Sequence, residues 1–273
     1  MESVTWFMDN AYKYEDALLS WPVTIAGTVL YLVAVVLGQK VMKKYTKFEL
    51  KGAMTLHNVI LFVWSVAMCA GGLYETISAF RANPFLDVYC SSKNRPGSER
   101  IMTGKAWFWI WLFFASKFYE FLDTAFIVLR KSNLIFLHVY HHAVVAPLAL
   151  TYLKAGMFFL NNGVIANGFI HTLMYWSYLM TTMGKPPAWK KYLTMAQLIQ
   201  FVYGLLSIVP MPYVCGFGYF SWTYETLVFW FQEFVLITFF LLFMAFYNKR
   251  YDTPKKDTNG HSNNHSNGHT KKD

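Results

Sequence analysis

Charge is scarce in this chain. Only 14% of its 273 residues are Asp, Glu, Lys or Arg, against 55% hydrophobic, and so few charges cannot solvate a globule of this size. That excludes an ordinary soluble protein. Also missing is the apolar and polar alternation, in segments of about ten residues, that a membrane β-barrel requires. The apolar runs are too long and unbroken for strands. No cleavable secretory signal stands at the start: the segment up to Ser20 carries Glu2, Asp9, Glu15 and Asp16 and has no apolar core. The first apolar run is therefore expected to serve as an uncleaved insertion signal. Cysteine is nearly absent, with Cys69, Cys90 and Cys215 leaving room for a single internal bridge.

What remains is oil, and aromatic oil in particular: 25 Phe, 18 Tyr and 10 Trp. Seven apolar runs are long enough to cross a hydrocarbon core of about 30 Å, at 22–38, 55–74, 106–129, 134–152, 157–182, 192–213 and 223–247. The sequence thus predicts an all-α membrane protein with seven transmembrane helices, a membrane domain over 1–250 and a disordered tail over 251–273 rich in Asn, Ser, Gly, Lys and His. Basic residues fix its expected direction. Lys40, Lys43, Lys44, Lys47 and Lys51, then Arg130, Lys131, Lys185, Lys190 and Lys191, then Lys249, Arg250, Lys255, Lys256, Lys271 and Lys272 fall on one side. These sixteen of the 24 basic residues mark the cytosol and leave the amino terminus luminal. A longer connector over 77–105, with Arg81, Lys93, Arg95, Arg100 and Lys105, lies on the other side, where long loops obey the charge rule less well. The same topology puts Cys90 and Cys215 together in the lumen and predicts a bridge, two unpaired thiols being the alternative. The sequon at Asn264 falls in the cytosolic tail and is expected to stay unmodified.

Ionisable and amide side chains inside spans are costly, so each is a candidate functional group. They cluster in four consecutive runs. Lys117, Glu120, Asp123 and Thr124 occupy the third; His138, His141 and His142 stand at i, i+3, i+4 in the fourth. Asn167, His171, Tyr175 and Tyr178 form a stripe in the fifth, and Thr194, Gln197 and Gln200 follow in the sixth. Counted from the cytosolic ends at about 1.5 Å per residue, most lie roughly 6 to 16 Å deep, one polar layer in the cytosolic half. Bundle-stabilising hydrogen bonds would account for Gln197 and Gln200, and a buried ion pair for Lys117 with Glu120. Three imidazoles exceed what such bonding needs. His57 reads as a satisfied interfacial residue, and His261, His265 and His269 as part of a solvated tail.

Three chemistries compete for the histidines. A His-x-x-His-His box also occurs in di-iron membrane desaturases and hydroxylases, which need about eight nitrogen ligands, whereas the spans hold only His57, His138, His141, His142 and His171. One zinc on three imidazoles stays open. A seven-span transporter or receptor would want a polar path through the membrane, and the polar layer stops in the cytosolic half. The third chemistry is acyl transfer, in which one imidazole attacks, a neighbour moves protons, and amide or phenol donors hold an oxyanion.

Four ordered motifs carry a resemblance that covers nearly the whole chain. Lys117 to Thr124 resembles KxxExxDT, His138 to His142 is HxxHH, Asn167 to Tyr178 resembles NxxxHxxMYxYY with Ser177 departing from the pattern, and Thr194 to Gln200 resembles TxxQxxQ. Together they are similar to the ELO family of very-long-chain fatty acid elongases, the 3-ketoacyl-CoA synthases of the endoplasmic reticulum. The resemblance implies condensation of malonyl-CoA with a long-chain acyl-CoA to give a 3-ketoacyl-CoA two carbons longer, CO2 and CoA. It implies no metal or organic cofactor. Spans two to seven would form a barrel around an acyl tunnel, with span one outside.

Carried onto this sequence, His141 would accept the acyl chain in a ping-pong cycle, and His171 would polarise a carbonyl or orient malonyl. His138 or His142 would handle protons. Asn167, Gln197 and Gln200 are the candidate oxyanion donors, with Tyr175 and Tyr178 in the same stripe; Lys117, Glu120 and Asp123 would frame them electrostatically. Arg130, Lys131, Lys185, Lys190, Lys191, Lys249 and Arg250 ring the cytosolic mouth, where CoA phosphates would bind, or are topogenic charges only. The implied partners are the bilayer and the ketoreductase, dehydratase and enoyl reductase of the elongation cycle, with a homodimer allowed and nucleic acid not involved. Lys271 and Lys272 resemble a dilysine retrieval signal, with Thr270 out of pattern. Chain length and unsaturation are not legible.

Overall fold

The computed structural model describes residues 19–98, 101 and 104–252. The tail expected over 251–273 begins instead in a helical segment, Asn248–Asp252; the rest of it, with the sequon at Asn264 and the basic residues Lys255, Lys256, Lys271 and Lys272, lies outside the described residues.

Among the described residues ten α-helices follow one another: α1 Trp21–Met42, α2 Lys51–Ala82, α3 Phe85–Tyr89, α4 Gly104–Tyr119, α5 Phe121–Leu129, α6 Phe136–Ala155, α7 Asn161–Thr182, α8 Lys190–Ile208, α9 Met211–Val214 and α10 Tyr224–Tyr247. Local chemistry sets their ends. Ser20 Oγ accepts from Val23 N–H before α1, and Pro22 sits in the first turn, where its missing donor goes unnoticed. Thr223 caps α10 in the same way, accepting from Thr226 N–H. Gly156, at φ 57°, stops α6 in the left-handed region.

The expectation of seven transmembrane helices, six of them closed into a barrel, is corrected. Among the described residues, four segments are long and apolar enough to cross a membrane: Trp21–Met42, Lys51–Ala82, Lys190–Val214 and Tyr224–Tyr251. No strand occurs among the described residues, so the all-α part of the expectation stands. The run at 106–129 is not one helix. The Ser116 hydroxyl bonds the Phe113 carbonyl at 2.8 Å and Glu120 Oε1 at 3.1 Å, drawing the ladder aside. Asp123 N–H then closes on the Glu120 carbonyl at 3.0 Å, three residues back, and α4 gives way to α5 at Glu120. The runs at 134–152 and 157–182 do form helices, α6 and α7. Their histidines, asparagines and hydroxyls make them too polar to qualify as spans. The protein is nonetheless a multi-span, membrane-associated helical molecule. α1 leaves Ile25, Val29, Leu30, Val33 and Leu37 exposed, as a lipid-facing helix does.

Helix packing positions the site. α2 and α7 make the most extensive contact, and α7 goes on to meet α8. A Cβ on Gly168 would lie 3.2 Å from Cys69 N and Ser65 O, backbone atoms that cannot yield, so glycine permits that crossing. Asn161 Nδ2 fastens the same pair, donating to the Gly72 carbonyl at 3.1 Å and Thr76 Oγ1 at 2.9 Å. α8 packs on α10, α10 on α6, and α6 on both α4 and α1. Beyond the C-terminal end of α6, a disulfide joins Cys90 to Cys215, and Tyr89 OH donates to the Ser207 carbonyl at 3.0 Å. That end of the molecule is thereby tied together.

Candidate active site

The frame is a buried charge network at the α4–α5 break. Lys117 Nζ donates to Glu120 Oε1 at 2.8 Å and to Asn167 Oδ1 at 3.1 Å, and it lies 4.2 Å from the centroid of the Phe113 ring. Both side chains of the pair are at most 2% exposed. Such charges persist in an apolar surround only when each answers the other. Glu120 Oε1 also stands 3.8 Å from His171 Nδ1, linking the pair to α7. One turn on, Asp123 accepts from His57 Nε2 at 3.0 Å and from Tyr175 OH at 2.9 Å. Thr124 bonds Tyr31 OH at 3.0 Å and His138 Nε2 at 2.9 Å, so α1 and α6 meet through one hydroxyl.

The three histidines share one face of α6, close to its start, because Ile135 is extended and the helix begins at Phe136. The His138 and His142 rings are 4.5 Å apart, and those of His141 and His142 are 5.3 Å apart and nearly perpendicular at 87°. His141 faces His171 across the bundle at 6.3 Å and packs on Phe239 of α10 at 5.2 Å. Pro147 follows within the same helix and, lacking an N–H, leaves the carbonyl four residues before it without its helical donor.

Two cavities meet at this face. The first, of about 270 Å³, is bordered by Glu120, Asp123, His138, His142, Tyr175, Tyr178, Thr194 and Lys190. The second, of about 90 Å³, is mainly apolar, running past Val145, Leu148, Ile170 and Leu236, and it also takes in Asn167 and Gln200. His141, His171, Gln197 and Phe243 wall both. An acyl chain can lie in one and a polar head in the other, with two imidazoles and an amide at the junction. That arrangement suits chemistry on a carbonyl located between a chain and a head group.

The structure brings together the residues of all four motifs. It does not do the same for the basic ring. Among the described residues, Lys190 alone of the seven candidates lines either of these two cavities. Lys191 Nζ sits 5.4 Å from the Tyr247 ring centroid, and Arg130 Nη1 donates to Met54 Sδ at 3.3 Å. Lys131, Lys185, Lys249 and Arg250 are exposed away from both cavities. His57 is buried at 3% exposure and is bonded to Asp123, on the edge of the site and not apart from it. Tyr31 and Gln232 also belong to the site's surroundings and are absent from the motifs. Gln232 was open to the same test as the others, being an amide inside an oily run; Tyr31 was not, since a tyrosine in a lipid-facing helix is ordinary. Among the described residues, no group of three or more His, Cys, Asp or Glu side chains is arranged to hold a metal ion.

Comparison with known proteins adds an independent line. Residues 17–259 match the family described as ELO: GNS1/SUR4. The chain is 43% identical over 173 residues to a Dictyostelium discoideum protein named "putative fatty acid elongase", a match covering 63% of this chain and 57% of that protein. The chain thus spans little more than half the length of that relative. It is 33% identical over 195 residues to fatty acid elongase sre1 of the same organism, covering 70% of each. To very long chain fatty acid elongase 2 of Mus musculus it is 35% identical over 263 residues, covering 90% of this chain and 84% of the relative.

Proposed function

The chain belongs to the ELO (GNS1/SUR4) family, and from that premise we propose that it is a fatty acid elongase that condenses malonyl-CoA with a long-chain acyl-CoA. The observation that carries the proposal is the pair His141 and His171 at the junction of a polar and an apolar cavity. The acyl chain lies in the apolar cavity and the CoA moiety extends from the polar one, past Lys190.

The cycle has two halves. In the first, an imidazole nitrogen of His141 attacks the thioester carbon; the C–S bond breaks, CoA leaves as the thiolate, and the proton lost from the acyl-imidazolium goes to that thiolate. Gln197, Gln200 and Asn167 supply N–H groups for the oxyanion. In the second, malonyl-CoA loses CO2, and the electron pair of the broken C–C bond becomes an enolate that attacks the acyl carbon. The C–N bond to His141 breaks, and the imidazole leaves after taking one proton, from His138 or His142. The products are a 3-ketoacyl-CoA two carbons longer, CO2 and CoA. Lys117, Glu120 and Asp123 hold the imidazoles and Asn167 in place.

The same reading puts the protein in the endoplasmic reticulum membrane, amino terminus luminal and carboxyl tail cytosolic, with residues 1–250 catalytic. What supports it is the basic side shared with the polar cavity's Lys190, and a Cys90–Cys215 bridge at the opposite end, where an oxidising lumen permits it. The reductases and dehydratase of the cycle, and a second copy of the chain, are its partners in this reading. Microsomes carrying the chain, given labelled malonyl-CoA and a panel of acyl-CoAs, are expected to form a product two carbons longer. No malonyl-dependent product with any acyl-CoA would refute the proposal.

A further inference from the structure

The apolar cavity has one feature its proposed use does not explain. On α10 its wall is a stripe at helical spacing, Gln232, Leu236, Phe239 and Phe243, in which one residue is an amide. Gln232 is 5% exposed, and among the described residues its Oε1 has no hydrogen-bond partner. A buried amide oxygen left unpaired costs about 1 to 3 kcal/mol. A leucine would line the chain at no such penalty, so the amide points to something that pairs with it.

Its depth can be read from three helices. His141, Gln197 and Phe243 stand at the junction, and Tyr152, Ile208 and Gln232 mark the far end of the same cavity. Each pair is about 11 residues apart on its helix, which is roughly 16 Å at 1.5 Å per residue. An extended chain of single bonds near 1.5 Å advances about 1.25 Å per carbon, so its carbons 12 to 14, roughly, come level with Gln232. Nearer the junction Asn167, Gln200 and Tyr203 join Val145 in the wall, but about seven residues in, level with roughly carbon 10, the wall is Leu148, Gly204 and Leu236, whose side chains offer no hydrogen bond.

We propose, resting on the elongase reading, that the far end of this cavity is a subsite for acyl chains bearing a hydroxyl near carbon 13, recognised by the Gln232 amide. A hydroxyl near carbon 10 faces Leu148, Gly204 and Leu236 and loses its water-borne hydrogen bonds without replacement. A hydroxyl at the far end pairs the amide and is paired by it. The amide can present either its oxygen or its nitrogen by rotating about its last torsion, so donor and acceptor are both served.

The test compares hexadecanoyl-CoA, its 10-hydroxy form and its 13-hydroxy form as substrates for labelled malonyl-CoA condensation by the full-length protein in microsomes. The expected kcat/KM for the 13-hydroxy chain exceeds that for the 10-hydroxy chain by about tenfold. In Gln232→Leu that ratio is expected to fall to near one. Gln232→Asn, which keeps the amide but withdraws it, gives an intermediate ratio; it serves also if the leucine variant does not accumulate as a monodisperse protein. A wild-type ratio of one or less, or an unchanged ratio in both variants, overturns the inference. If plain hexadecanoyl-CoA is condensed while the ratio is one, only the subsite fails. If no acyl-CoA is condensed, the elongase reading fails first.

Discussion

Lys117 and Glu120 offer the sharpest test of how the site is held. Their 2.8 Å contact is almost wholly buried. Removing one member of such a pair strands the other charge in an apolar surround, at about 3 to 5 kcal/mol. Lys117→Met leaves the carboxylate with Ser116 as its remaining close donor, and Glu120→Leu leaves the ammonium with Asn167 and the Phe113 face. At about 2 to 4 °C per kcal/mol for a chain of this size, each variant is expected to melt roughly 6 to 20 °C below wild type. Removing both charges together avoids the stranded ion, and Lys117→Met/Glu120→Leu is expected to regain most of that loss. Activity should not return with it, because Glu120 Oε1 no longer stands beside His171. Thermal unfolding in detergent, followed by fluorescence-detected gel filtration, reads the stability, and labelled malonyl-CoA incorporation reads the rate. Single variants within about 2 °C of wild type, or a double variant with near-normal turnover, would show that this pair does not frame the site.

Other outcomes follow from distances already given. Incubation with acyl-CoA alone is expected to release CoA and leave an acyl group on the protein, seen by mass spectrometry; His141→Ala should abolish it, and an adduct that persists moves the nucleophile elsewhere. Tyr31→Phe deletes the bond to Thr124 and is expected to cost about 0.5 to 1.5 kcal/mol while slowing turnover less than His138→Ala, as melting and rate assays will show. Gly168→Val drives a side chain into backbone at 3.2 Å and is expected to lower the melting temperature by several degrees or prevent accumulation; a normal melting curve would contradict the close α2–α7 crossing. Lys190→Ala should raise KM for CoA thioesters a few-fold, more so at low salt, whereas Lys185→Ala should change it little.

The site was more legible in the sequence than the membrane architecture around it. HxxHH spacing forces three imidazoles onto one helical face wherever the helix goes, and the polar stripes of α7 and α8 are equally local, so their convergence could be anticipated. Counting spans failed for the same residues. The histidines of α6 and the asparagines and hydroxyls of α7 that build the site also dilute the hydropathy by which spans are counted. The α4–α5 break depends on Ser116 bonding backward to Phe113 and forward to Glu120, a choice no periodicity reports. His57 and Tyr31 acquire their roles from partners far along the chain, at Asp123 and Thr124, which one sequence cannot pair. Basic residues can mark a side of a membrane, and a side is not a pocket: among the described residues, Lys190 alone of the seven candidates lines either cavity of the site.

His141, His171, Gln197 and Phe243 belong to both cavities, and that shared wall limits what substitution can separate. A change at any of the four alters the room in both cavities at once, so under the proposed use the affinities for chain and head group cannot be tuned independently there. Selectivity can be redesigned only at positions owned by a single cavity, such as Leu148 or Ile170 on the chain side and Ile135 or Leu193 on the other. The junction is the part of the molecule with the least freedom to vary, for reasons of geometry as much as of chemistry.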